Sequence, residues 1–182
     1  MTQYRGRASI LCYHRVVDKK TFHLEDSPQK NLLVSKVNFE SHVKLLSNAY
    51  DLVSMDDLVY HLKSKSSDYK VAITFDDGYK DNLINALPIL EKYNIPAIIY
   101  VCTRFLDNDC SMWWYQLWDH ITKSKRINYF WEGLEFSFET GTISKKHKVY
   151  DHLSNTIKTL NYKKQNELLK LICNQELINY KS

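Results

Sequence analysis

Residues 71–81 read VAITFDDGYKD: five apolar or β-branched residues run straight into two adjacent carboxylates and a glycine. A short continuous apolar run closed by turn residues is the pattern of a buried strand. The stretch after it places Leu83, Leu87, Leu90 and Tyr93 at helical spacing, and IPAIIYV (95–101) reads as a second strand. Pro88 interrupts the helical stretch and predicts a short turn before it and a firm helix beginning at it, because Pro suits a first helical turn. Strand, helix and strand within about 30 residues make a βαβ unit, with parallel strands and a right-handed crossover.

Upstream, ASILCY (8–13) is a buried-strand pattern ending at His14-Arg15, FESHVKLL carries the helical spacing Phe39, Val43, Leu46, and YDLVS (50–54) reads as a short strand. Ser54 with Asp57 forms an S-x-x-D helix start ahead of Leu58 and Leu62. The first 104 residues thus alternate strand and helix, the mark of an α/β sheet or barrel. Beyond Arg104 the pattern changes. Trp114, Leu117, Trp118 and Ile121 share one helical face, INYFWEGLEFSF alternates around Glu132-Gly133 like a hairpin, and 144–179 read as two helices striped by Tyr150, Leu153, Ile157, Leu160 and by Leu168, Leu169, Ile172. The expectation is one domain over 1–182, with an α/β core at 8–104 and an insertion-like hairpin and helices at 105–182.

At 182 residues and 44% hydrophobic the chain buries a core. The net charge of +4 comes from the tail, where residues 123–182 hold 11 basic against 6 acidic side chains. Lys145-Lys146 and Lys163-Lys164 lie in amphipathic helical patterns, so they read as solvated faces, and no nucleic-acid partner is expected. Cys12, Cys102, Cys110 and Cys173 include no C-x-x-C pair, and Cys12 and Cys102 sit in apolar runs that predict packing. The N-terminus lacks the apolar core of a secretory signal and no run is long enough to cross a bilayer, which predicts no membrane span and a cytoplasmic location.

Loops beyond the carboxyl ends of parallel strands carry the chemistry of α/β folds, and Asp76 and Asp77 stand at such an end. Neighbouring strand residues face opposite ways, but Gly78 permits a bend that turns both carboxylates into one site. Their repulsion favours one metal ligand and one general base. Asp-Asp-Gly alone also reads as a plain turn with a helix N-cap.

TFDDGY with DNLINALPILEKYNIPAIIYV after it closely resembles the first motif and following βαβ unit of the polysaccharide deacetylases (NodB-homology, carbohydrate esterase family 4). LCYHRV, FESHVKLL and YDLVSMDDL look like the members that begin with a tyrosine-histidine strand, so the resemblance covers residues 8–105 and continues loosely through WWYQLWDHI. It implies a partial (β/α) barrel and hydrolysis of the acetamide of an N-acetylated saccharide. In that resemblance Asp76 takes the place of the base, Asp77 of a ligand to a divalent metal, usually zinc, and His14 of a general acid. Tyr79 is a candidate for lining the saccharide groove, and a sugar-stacking role for Trp113, Trp114 and Trp118 is weaker than core packing.

The resemblance also breaks. The family's metal-binding H-S/T-x-x-H motif is missing: the histidines are 14, 23, 42, 61, 120, 147 and 152, and His147 and His152, five apart, fall on different helix faces. A catalytic zinc wants three protein ligands, and the resemblance supplies only Asp77. The chain is therefore expected to be the N-terminal part of a longer deacetylase, inactive or incomplete in this form. The competing expectation is a non-catalytic remnant that binds a saccharide or a partner chain. Oligomeric state is open.

Overall fold

In a computed structural model, which describes residues 7–20, 27–64, 66–106 and 112–173, strand β1 (Ala8–Tyr13) leads through His14 into β2 (Arg15–Val17). β2 pairs in parallel with β3 (Leu33–Ser35). Ser35 then caps helix α1 (Lys36–Ala49), its side chain accepting from the Asn38 amide at 3.2 Å. There follow β4 (Asp51–Leu52), α2 (Met55–Lys63), β5 (Lys70–Asp76), α3 (Leu87–Lys92) and β6 (Ala97–Tyr100). The predicted start of α2 is present: the Ser54 hydroxyl accepts from the Asp57 amide at 3.1 Å.

β5 is the centre of a four-stranded parallel sheet. β1 runs along its whole buried length, while β4 pairs with Lys70 and Val71 and β6 with residues Ile73 to Asp76. Residues Val71 to Phe75 are all buried, which is why this strand reads as a continuous apolar run. Beneath the sheet Phe39 of α1 meets Tyr13 and Phe75 edge-on at ring-centroid distances of 5.0 and 5.7 Å, and Val43, Ile89 and Leu90 complete the core. Burial of each such side chain contributes about 1.5–3 kcal/mol. The expected turn before Pro88 is instead helical: backbone from Lys80 passes through a π-helical segment, Asn82–Ala86, before α3. One extra residue per turn accommodates the chain there, leaving no mark in the apolar spacing.

The chain divides into two compact units between Thr103 and Arg104. After the short helix α4 (Thr103–Leu106), the second unit consists of α5 (Trp113–Lys123), the hairpin β7 (Arg126–Trp131) and β8 (Leu134–Glu139), and helices α6 (Ile143–Thr159) and α7 (Tyr162–Cys173). Glu132 and Gly133 both have positive φ, 48° and 84°, the requirement of a two-residue hairpin turn that matches strand twist. Leu117, Ile121, Ile127, Leu153, Ile157 and Leu169 form one buried cluster with Trp118 and Tyr150. The tail charges include exposed ion pairs, Lys145–Glu139 at 2.5 Å and Lys164–Glu132 at 2.7 Å. Among the described residues no helix is long and apolar enough to cross a membrane. Cys110 and His23, and the end of the second predicted tail helix, lie outside the described residues.

Candidate functional site

The β1–β5 register builds the site. Cys12 lies opposite Thr74 and Tyr13 opposite Phe75, so His14, one residue on, comes beside Asp76 at the carboxyl end of β5. Side chains alternate along a strand, so Cys12, His14, Thr74 and Asp76 share one face while Tyr13 and Phe75 point into the core. The outcome is close grouping: Cys12 Sγ donates to Asp76 Oδ2 at 3.2 Å, and His14 Nε2 stands 3.9 Å from the same oxygen. The Asp76 side chain is 40% exposed and that of His14 26%, so both reach solvent.

Cys12 corrects the expectation of a packed thiol: it is exposed. The apolar run around it is covered on its Tyr13 side, but the face carrying Ile10 and Cys12 is open, with Ile10 52% exposed. The thiol end itself is partly screened from water. That screening, the hydrogen bond to Asp76 and the charges of Asp76 and Asp77 push the thiol up, while a hydrogen bond with Thr74 pulls it down.

The bend after β5 begins at Asp77 rather than at Gly78. Asp77 has φ 68° and Gly78 φ 70°, two successive left-handed residues. Asp is one of the few side chains that tolerates this region, because it can bond locally. A Cβ on Gly78 would also approach the Val101 methyl carbons to 3.1 and 3.2 Å. Burial raises the Asp77 carboxyl above the usual carboxylate range, His14 opposes this and Asp76 adds to it.

The helical segment that follows fixes the outer wall. Asp81 accepts from Arg15 Nε at 2.7 Å and from the Val16 amide at 3.2 Å, and Asn85 Nδ2 donates to the Val16 carbonyl at 2.8 Å. These bonds tie β2 to the segment after β5 and hold His14 between two anchored strands. Tyr79 lies under the Arg15 guanidinium, 5.0 Å from its ring centre. A concavity of about 500 Å³ opens beside Cys12 and His14, walled by Asn31, Ser35, Asn38 and His42, and the Tyr13 hydroxyl is 3.3 Å from His42 Nδ1.

Among the other residues singled out, Trp113, Trp114 and Trp118 pack on the buried cluster of the second unit. His147 lies 4.7 Å from the Trp118 ring and His152 5.3 Å from Phe138, both as packing contacts. Arg104 sits over the Tyr162 ring. Among the described residues, Cys12, His14 and Asp76 are the three metal-capable groups that converge, each offering a ligand atom within 4.8 Å of the others. From the residues alone Cys12 reads as packing, and as a thiol ligand only if its strand places it at the mouth; its i, i+2 spacing to His14 is the signal that both share a face.

Asp76 ends the central strand, and His14 beside it lines an open concavity at the carboxyl end of the parallel sheet, the place where α/β folds carry their chemistry. The chain belongs to the polysaccharide deacetylase family, whose profile matches residues 63–177. It is 32% identical over 149 residues, 77% of this chain and 50% of the relative, to the poly-β-1,6-N-acetyl-D-glucosamine N-deacetylase of Staphylococcus aureus (strain MSSA476). It is 35% identical over 103 residues, 55% of this chain and 33% of the relative, to YxkH of Bacillus subtilis (strain 168), provisionally named a polysaccharide deacetylase. A solved de-N-acetylase from Aggregatibacter actinomycetemcomitans aligns over 81% of this chain and 52% of its own at 22% identity, with a TM-score of 0.45. The chain thus spans a third to a half of the length of these curated relatives.

Proposed function

We propose that this chain is the base-bearing part of a carbohydrate N-deacetylase, acting on the acetamide of an N-acetylated glucosamine polymer or its precursor. The observation that carries the reading is Asp76, exposed at the end of β5 with His14 Nε2 3.9 Å away, His14 in turn lining a concavity of small-ligand size. Asp76 is open enough to take a proton from an attacking water, and His14 is near enough to deliver one to the leaving amine. Asn31, Asn38 and His42 offer polar groups that suit sugar hydroxyls. A divalent cation, when bound, supplies Lewis-acid polarisation of the acetyl carbonyl, and Asp77 is the residue that would hold it by family resemblance. The S. aureus relative's named polymer supports the choice of substrate class.

A second reading, a saccharide-binding remnant, is favoured by one observation: no two histidines in the chain have the H-x-x-x-H spacing. The test is acetate release from β-1,6-linked N-acetylglucosamine oligomers with zinc present, for the chain and for Asp76→Asn. Release that Asp76→Asn lowers by about 10²-fold or more supports the base assignment. Release that survives the substitution overturns it. Saturable oligomer binding without acetate release selects the remnant reading.

A further inference from the structure

We infer that Cys12, His14 and Asp76 form a thiolate–imidazole–carboxylate site for a thiophilic divalent cation, separate from the role that family resemblance gives Asp77. Three observations carry it. The three ligand atoms lie within 4.8 Å of one another, with Sγ–Oδ2 at 3.2 Å and Nε2–Oδ2 at 3.9 Å. Bond lengths of about 2.0–2.3 Å to zinc give tetrahedron edges of about 3.3–3.5 Å, so a cation fits between these atoms with small side-chain adjustments. Cys12 is fixed by the register of β1 on β5, Asp76 ends β5, and His14 follows directly on β1, two residues from Cys12.

The charge balance is also favourable. The Cys12 thiol releases its proton to water as the S–metal bond forms, Asp76 brings a second negative charge and His14 binds neutral, so the ion is neutralised. Cys12 is exposed, which leaves a fourth position open to water. Sulfur selects zinc, cobalt or cadmium over magnesium and calcium. Asp76 cannot be ligand and base at once, so filling this site silences the base.

The probe is cobalt(II) added to the reduced, metal-free chain, read by the thiolate-to-cobalt charge-transfer absorption in the near ultraviolet and by zinc competition. The expected result is one equivalent bound with that band, the band lost in Cys12→Ser, and zinc affinity at least tenfold weaker in His14→Ala and Asp76→Asn. Asp77→Ala and Cys102→Ser keep the band. A band that persists in Cys12→Ser, loss of binding in Asp77→Ala alone, or no binding at all overturns the inference. These readouts do not involve acetate release, so the outcome is distinct from that of the deacetylase assay. Unchanged circular dichroism in Cys12→Ser establishes that the loss is of a ligand and not of the fold.

Discussion

The two units bury apolar surface to different degrees. In residues 112–173 the hairpin and helices close on one cluster, with Leu117, Ile121, Leu153 and Ile157 at 0% exposure. In the first unit Phe39 and Phe75 are equally buried, yet Ile98, Ile99 and Tyr100 of β6 and Val101 after it are between 38% and 49% exposed. The second unit therefore gathers its helices and hairpin on one buried cluster, whereas β6 has the composition of a strand covered on both faces without that cover among the described residues. The exposed parts of the first unit's sheet include the outer positions Ile10 and Cys12 of β1 and Asp76 at the end of β5, while Ala72 and Thr74 between them stay buried. In the second unit the exposed apolar residues, such as Phe130 at 64% and Leu134 at 63%, lie apart from any candidate chemistry among the described residues.

All four tryptophans lie between 113 and 131, so tryptophan fluorescence reports the second unit alone. This gives a direct way to break the comparison. Phe39→Ala removes a ring wedged between Tyr13 and Phe75 and is expected to cost about 3–5 kcal/mol in the first unit, while Leu153→Ala costs about 2–5 kcal/mol in the second. Thermal melts followed by tryptophan emission should shift with Leu153→Ala and stay in place with Phe39→Ala. An equal shift for both means that the units unfold as one.

A smaller contrast lies in two glycines. Gly78→Ala combines left-handed strain with crowding against Val101 and is expected to cost about 2–3 kcal/mol. Gly133→Ala, at φ 84° with open space around it, costs about 1–2 kcal/mol from backbone strain alone. Urea titration of the two variants, read by circular dichroism, should rank them in that order. Cys173 sharpens the picture of the closed unit, since burial pushes its thiol up to about 11 from 9.0. A raised folded-state value means that the stability linked to this proton is present below pH 9 and is lost as pH rises towards 11. Melting temperatures should fall across that window, less so in Cys173→Ala. The smallest expected effects are the helix caps: Ser54→Ala and Thr142→Ala each remove an acceptor for a helix amide and should cost about 1 kcal/mol in their own units.

Much of this was legible in the residues. VAITF was readable as a strand because it is buried on both faces, EG as a hairpin turn because the tight turn needs two positive φ values, and Ser54 as a cap because the hydroxyl and Asp57 sit three apart. The helical stripes at Leu117, Leu153 and Leu169 mark the core that forms. Three features were hidden. The exposure of Cys12 depends on what covers the sheet, which an apolar run does not state. The π-helical turn at 82–86 shifts the phase of the helix without changing its composition. The bond from Arg15 to Asp81 joins residues 66 apart, beyond the reach of any local pattern.

That separation has a kinetic side. Cys12 and Asp76 are 64 positions apart, and bringing the ends of a flexible loop of that length together costs about 4 kcal/mol of chain entropy before any contact rewards it. The hairpin of residues 126–139, closed by a two-residue turn, faces almost none of this cost. On refolding, the tryptophan-bearing hairpin and its neighbours should gather early, and the pairing of β1 with β5 should come late. The candidate site would then exist only once the slowest pairing is complete, and a cation bridging Cys12 and Asp76 would act as a clasp that slows its reopening.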